Sequence, residues 1–506
     1  MNLPTLITFL VYLIGMLAIG IVMYRRTHDL SDFVLGGRTL GPVVGALSAG
    51  ASDMSGWLLL GLPGAIYATG LSESWIAIGL AIGAYLNWQF IARRLRVYTE
   101  VASDSITIPD FLENRFKDNS RLLRVISALV ILLFFTFYTS SGMVAGAKLF
   151  EASFGLSYQA ALWIGVIVVV SYTFLGGFLA VVWTDFIQGT LMFLALIVVP
   201  LVAINQLGGW NDTVQAVASI EPTHLNMVKG VGVMAIISSL AWGLGYVGQP
   251  HIIVRFMALR SAKDVPKARF VGTTWMVLGL YGAIITGFAG LAYVSSADAA
   301  VFTNLGLEVI TENGVQMLGD PEKIFIAFSQ ILFNPIVAGL LLAAILSAIM
   351  STIDSQLLVS SSAVAEDFYK GFFRRNATNK ELVWTGRIAT VVIALIAALI
   401  AMNPESTVLE LVSYAWAGFG ASFGPIILLA LFWKGVTRNG ALVGIIIGAV
   451  TVIVWGDFLS GGIFDLYEIL PGFAFNLIAT IIVSLLGKPD PEMIVEFDET
   501  QRRLHE

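Results

Sequence analysis

Apolar runs of about twenty residues, the length that crosses a bilayer as one helix, recur thirteen times along this chain. They lie near 4–24, 40–69, 73–92, 122–149, 158–181, 185–205, 229–252, 270–293, 325–358, 384–402, 408–433, 439–457 and 466–487. Such a sequence folds as a bundle of spanning helices, because backbone polar groups in lipid must be satisfied within each segment. Charged residues make up only 12% of the chain, about half the share of a soluble domain, so little mass is left for one. Of the 28 lysines and arginines, 25 fall in alternate connections; only Lys148, Lys229 and Lys323 lie on the other side. The positive-inside rule then predicts an outer N-terminus and a cytoplasmic C-terminus. The first span has no basic residue before it and is followed by Arg25 and Arg26, so it reads as a retained helix rather than a cleaved leader.

Two spans are not ordinary. Residues 46–57 read Ala-Leu-Ser-Ala-Gly-Ala-Ser-Asp-Met-Ser-Gly-Trp, which is small, polar and glycine-bearing at mid-membrane depth. Asp53 there is costly unless it faces protein, water or a cation. The second is 241–250, Ala-Trp-Gly-Leu-Gly-Tyr-Val-Gly-Gln-Pro. Gly243, Gly245 and Gly248 match a dinucleotide fingerprint formally, but no strand precedes them. Three glycines and a proline in ten residues predict a helix break. Tight helix packing through small residues explains the glycines equally well, although not the adjoining Trp242, Tyr246 and Gln249.

These breaks fall in the second and seventh spans. A unit of five spans repeated once is inserted in opposite orientations, and paired broken helices in inverted halves mark a midplane solute and ion site. The predicted fold class is therefore an all-α polytopic membrane protein with a five-plus-five inverted-repeat core at about 40–205 and 229–433. The spans at 4–24, 439–457 and 466–487 are peripheral, within one integral membrane unit. The connection at about 294–324 is acidic and reads as a small helix or lid, and the tail from Lys488 as partly ordered at most.

A third unusual segment is 343–362, where Ala348, Ser351 and Thr352 share one helical face. Two hydroxyls and a carbonyl suit an alkali cation, and divalent ions prefer several carboxylates. The alternative is that both hydroxyls bond back to their own helix. Tyr138 reads as core packing. Asp185, after Trp183, reads as a helix-start acid rather than an exit station for a cation. Asp354 reads as either an exit station or a solvated polar group. His28, His224, His251 and His505 are scattered and form no metal cluster, and the lack of cysteine excludes disulfides and thiolate chemistry.

Residues 46–57, the stretches Glu73–Gly79 and Gly243–His251, and Met350–Thr352 resemble the sodium:solute symporter family, and the resemblance extends from Leu35–Pro42 to Leu486–Lys488. It implies the LeuT-like inverted-repeat fold with three extra spans, and secondary active import of L-proline with sodium as the co-transported ion. It implies sodium held by the carbonyls of Ala51, Met54 and Ala348 and the hydroxyls of Ser351 and Thr352, with Asp53 as the sodium-linked acid. It implies proline near Ser55, Gly56, Trp57, Tyr138, Trp242, Tyr246 and Pro250. Asp354 with Ser355 departs from the family pattern, so the resemblance assigns no exit route there. Expected partners are proline, sodium and the lipid bilayer of a bacterial cytoplasmic membrane, with no nucleic acid. An importer of another small osmolyte is the nearest alternative. A transporter-like sensor is disfavoured by the lack of a kinase or receiver segment, a channel by the lack of repeated pore loops, and an enzyme by the lack of an acid/base or metal cluster.

Overall fold

The computed structural model describes residues 3–24, 35–175, 177–312 and 314–505. Every expected span has a helical counterpart among them. The first span is Leu3–Tyr24. The second is Pro42–Asp53, a break, a π turn Trp57–Gly61 and Leu62–Thr69. The third is Ser74–Leu86, a π turn Asn87–Ile91 and Ala92–Val101. Leu122–Phe154, Tyr158–Leu175 and Phe178–Gln206 are the fourth to sixth. The seventh is Val233–Leu240, a 3-10 stretch Ala241–Gly248 and Pro250–Ala258. The eighth is Val265–Ser296, and the ninth is Ile324–Ile331 followed by Pro335–Ser362. Asn379–Ile400, Val408–Phe432, Arg438–Phe458 and Ile469–Leu486 complete the set. Among the described residues, ten continuous helical stretches are long and apolar enough to cross a membrane unaided; one of them, Trp57–Val101, carries parts of two spans. The protein is a multi-pass membrane protein.

Proline and its neighbours set the breaks. Pro250 opens the second half of the seventh span, and Gln249 before it is extended (φ −82°, ψ 105°), as a residue preceding proline must be. Pro335 opens the long helix of the ninth span, where Asn334 caps Ile336 and Val337 with its side-chain oxygen. In the second span, Met54 leaves the helical region (φ −82°, ψ 76°) directly after Asp53. The two broken spans are tied at one end, where Leu40 and Leu259 form a parallel bridge with Leu40 N–H to Ala258 O at 3.1 Å.

The connections rich in lysine and arginine gather on one side, the basic face. Arg38 donates to Asp104, Ser105 and Met257 there, and Arg438 to Asp118. Arg25 and Arg26, counted in the sequence toward that face, lie outside the described residues. Arg255 was also counted as a loop cation, but it sits fully buried inside the seventh span.

Three further expectations need correction. The connection at 294–324 holds a short helix Ala299–Thr303 and then an antiparallel hairpin, β1 Val309–Glu312 on β2 Val315–Leu318. A helix does not run on through 305–310, because β-branched Val309, Ile310 and Thr311 favour a strand and Gly314, at φ 81°, lets the chain turn back; Asn313 lies outside the described residues. The connection is held down at its end by Glu322, which accepts from Lys148 (2.7 Å) and from the N–H groups of Val408 (2.9 Å) and Leu409 (3.2 Å) at a helix start. The tail is ordered: Pro491–His505 is a helix whose Met493, Phe497, Thr500 and Leu504 are buried. Phe497 lies 6.3 Å from the ring of Tyr98 on the third span, a stripe at 3.6-residue spacing that the high charge of the tail conceals. Finally, the sixth span begins at Phe178, so Asp185 is in a helix interior and not at its start.

Candidate functional site

Around the break in the second span, polar groups of Ala51 and Asp53 turn toward three different helices. Before the break, the Ala51 carbonyl accepts from Ser351 Oγ at 2.8 Å and lies 3.4 Å from Thr352 Oγ1, both on the ninth span. Ser351 also reaches the carbonyl of Ala348 on its own helix, at 3.3 Å. The hydroxyl pair therefore bridges two spans and does not merely bond back to its own helix. Ala348, Ser351 and Met54 are buried beside this junction.

At the break, Asp53 is 3% exposed, and its Oδ2 accepts from the Tyr246 hydroxyl at 2.6 Å, which joins the two broken spans. Its Oδ1 has no hydrogen-bond partner among the described residues. The Asp53 carbonyl accepts from Trp57 Nε1 (3.1 Å) and from the Tyr138 hydroxyl (3.3 Å). Tyr138 is thus a polar contact of the break, beyond the packing role read from the sequence. After the break, Ser55 and Gly56 are buried, and Ser55 Oγ accepts from Trp57 N–H at 3.4 Å. A Cβ on Gly56 would stand 2.7 Å from that of Ala145, so only glycine lets the fourth span approach so closely.

Aromatic rings close the opposite side of the break. Trp57 and Trp242 lie 6.4 Å apart, and Trp242 stacks on Trp416 (6.3 Å) and Tyr467 (5.5 Å). Trp416 Nε1 donates to the Trp242 carbonyl at 2.7 Å, and Tyr246 meets Trp416 edge-on at 5.0 Å. Sequence reasoning missed Trp416 and Tyr467. Trp416 sits in Ser-Tyr-Ala-Trp-Ala-Gly-Phe-Gly, the same mixture of small and aromatic residues that marked the breaks. The packing explanation of the second glycine cluster also holds: a Cβ on Gly245 would fall 2.0 Å from the Trp416 ring nitrogen. Close packing and a broken helix coexist there. A small cavity beside Asp53 and Tyr246 is bounded by Asn87, Trp88 and Met276. Pro250 is not among its walls; it lines a second cavity nearer the basic face.

Below the break lies a buried network absent from the sequence reading. Asp185 Oδ2 accepts from Ser48 (2.7 Å) and Ser52 (3.0 Å) and pairs with Arg255 Nη2 at 3.3 Å. Arg255 also donates to Ser355 (2.7 Å), Ser48 (3.2 Å) and the His251 carbonyl (2.7 Å). Both charged groups are fully buried, so the network locks the second, sixth, seventh and ninth spans together. Asp354 is fully buried as well, which removes the solvated reading given to it.

The profile of the sodium:solute symporter family matches residues 33–448. The chain belongs to this family. The sodium/proline symporter of Escherichia coli (strain K12) is 53% identical over 503 residues, covering 99% of this chain and 97% of that protein. The high-affinity proline transporter PutP of Bacillus subtilis (strain 168) is 54% identical over 488 residues, covering 96% of this chain and 99% of that one. A solved structure of a Na+-coupled sialic acid symporter, in a substrate-bound outward-open state, superposes with a TM-score of 0.78 at 19% identity, over 96% of this chain and 99% of that one. The fold of this family member is thus the inverted-repeat core with broken helices in its second and seventh spans.

Proposed function

We propose that the protein imports L-proline together with sodium by alternating access, as a transporter and not an enzyme. The observation that carries the reading is the junction at Ala51–Trp57, where an oxygen cluster on one side and an aromatic wall on the other meet at a single helix break. It is supported by identity above 50% to proline transporters along nearly the whole chain.

Sodium takes the carbonyls of Ala51, Met54 and Ala348 and the hydroxyls of Ser351 and Thr352, an oxygen-only set suited to a hard monovalent ion. Asp53 supplies the negative charge that offsets desolvation of the cation. Proline lies beyond the break. Its carboxylate faces the N–H groups that start the second helix half at Ser55, Gly56 and Trp57. Its ring and secondary ammonium face Tyr138, Trp242 and Tyr246, since aromatic faces accept both apolar and cationic groups. Pro250 keeps the seventh span open opposite them. The inverted repeats occupy about 40–205 and 229–433. The basic face is cytoplasmic, with the N-terminus outside and the C-terminus inside, in a bacterial cytoplasmic membrane.

Radiolabelled proline uptake into proteoliposomes tests this directly, with sodium, lithium or potassium outside. Concentrative uptake with sodium is expected. Equal uptake with potassium, or with a proton gradient alone, overturns the reading.

A further inference from the structure

A second cavity opens on the basic-face side of the seventh-span break, walled by Ile131, Pro250, Val254, Leu358, Ser362 and Asp367. Its lining is mostly apolar. Asp367 is fully buried, and among the described residues neither of its carboxylate oxygens has a hydrogen-bond partner. Its cation neighbour is Arg124, with Nε at 3.5 Å, and that guanidinium is already held more closely by Asp110 and Glu113. A buried carboxylate that shares one cation with two others is an unbalanced charge in a low-dielectric place. The two hydroxyls in the wall are committed elsewhere: Ser362 donates to its own Leu358 carbonyl (2.7 Å), and Thr107 caps the N–H of Asp110 (3.1 Å). The cavity therefore offers one carboxylate and an apolar surface, which is poor ligation for a hard metal ion. It suits an apolar ring bearing a cationic nitrogen.

The helices that wall this cavity also carry residues of the break. Tyr138, Phe135 and Ile131 descend one face of the fourth span, and Pro250 and Val254 one face of the seventh. On the ninth span Ser351, Ser355, Leu358 and Ser362 descend likewise. His251 stands between the two levels, edge-on to Phe135 (5.4 Å) and Tyr138 (5.7 Å), with no hydrogen-bond partner for either ring nitrogen among the described residues. The free space in the cavity is about 20 Å³, room for a water-sized group, so a whole solute enters only when the helices part.

We infer that this cavity is an exit subsite for the transported solute, in which the Asp367 carboxylate receives the ammonium of proline and the apolar wall receives its ring. The inference rests on the proline reading above.

The natural chain has no cysteine, so Ser362→Cys supplies a single thiol in the cavity wall. The full chain carrying it is reconstituted with the basic face outward and treated with a membrane-impermeant maleimide in constant sodium. With proline at about ten times its half-saturating concentration, labelling slows by about tenfold, the share of empty subsites left. Adding Asp367→Asn removes the protection. Asp367→Glu restores protection. Val359→Cys, on the same wall, replaces Ser362→Cys if that protein is not inserted. The inference is overturned if proline leaves labelling unchanged, or if Asp367→Asn protects as well as the parent, which would mean that a shape change elsewhere shields the thiol. Absence of sodium-driven proline uptake by the unmodified chain is a separate result, and it overturns the function itself.

Discussion

Thr352→Val and Thr352→Ser, measured side by side, decide whether the hydroxyls of the ninth span bind the ion or only hold the helices together. Thr352 Oγ1 is 3.4 Å and Ser351 Oγ 2.8 Å from the same Ala51 carbonyl. If the hydroxyls serve only as a tie between neutral groups, removing one costs about 0.5–1.5 kcal/mol of stability and leaves the sodium requirement in place. If they ligate sodium, removing one costs at least as much as a hydrogen bond to a charged group, about 1.5–3 kcal/mol. At about 1.4 kcal/mol per decade, the half-saturating sodium concentration rises by about tenfold to a hundredfold. Ser351→Ala should behave like Thr352→Val. Thr352→Ser keeps the oxygen and should be mild. Proline affinity should fall at low sodium and recover at high sodium, because the two binding events are linked. The assay is a sodium titration of proline uptake in proteoliposomes at matched protein. Superimposable sodium curves for Thr352→Val and the parent would refute the ion-site reasoning, and reduced melting temperature with an unshifted curve would assign the hydroxyls to the tie.

Asp53→Asn should abolish sodium-driven uptake while insertion stays near normal, with Asp53→Glu retaining more; parental sodium dependence in the Asn variant would leave Asp53 with a packing role alone. Trp242→Ala and Tyr246→Ala should raise the proline half-saturation far more than that for sodium, and unchanged proline affinity in both would move the pocket elsewhere. Arg255→Met alone leaves Asp185 buried without its cation and should cost about 3–5 kcal/mol, read as a lower melting temperature in detergent, whereas Asp185→Leu with Arg255→Met should recover part of the loss; equal melting of single and double variants would contradict a paired role. Phe497→Ala should release the tail helix from Tyr98 and expose residues 491–505 to protease from the basic face, and an unchanged cleavage rate would contradict the docking.

Much of the fold was legible because lipid leaves few options. Length of apolar run and two glycine-rich interruptions five spans apart are local signals, and each marks its helix or break where the structure has it. The hydroxyl cluster that meets the Ala51 carbonyl was legible in part, since Ala348, Ser351 and Thr352 share one helix face by spacing alone. What escaped depends on partners distant in sequence. Asp185 looks like a helix-start acid until Ser48, Ser52 and Arg255 are seen around it. Arg255 looks like a loop cation until its helix is known to continue past it. Trp416 and Tyr467 lie far along the chain from the breaks they close. The hairpin at 309–318 escaped for another reason: a four-residue strand carries too little pattern to compete with a helical reading of scattered apolar residues.

The arrangement of residues 51–57 bears on how two unlike cargoes can depend on each other. Ala51 is held by the ninth span, the Asp53 side chain by the seventh, and the Asp53 carbonyl and Gly56 by the fourth. About two turns of chain, broken at Met54 and Ser55, therefore answer to three helices at once. On the proposed reading, filling the oxygen cluster fixes Ala51 and Met54, and through them the direction of the N–H groups at Ser55–Trp57 that receive a carboxylate. The ordering cost of that segment falls once, on whichever cargo binds first, and the second binds to a site already shaped. Linkage then requires symmetry: the factor by which saturating sodium tightens proline must equal the factor by which saturating proline tightens sodium. Substitutions that only weaken one cargo leave that factor intact. Those that loosen the break itself, such as Tyr246→Phe at its bond to Asp53, shrink the factor in both directions together.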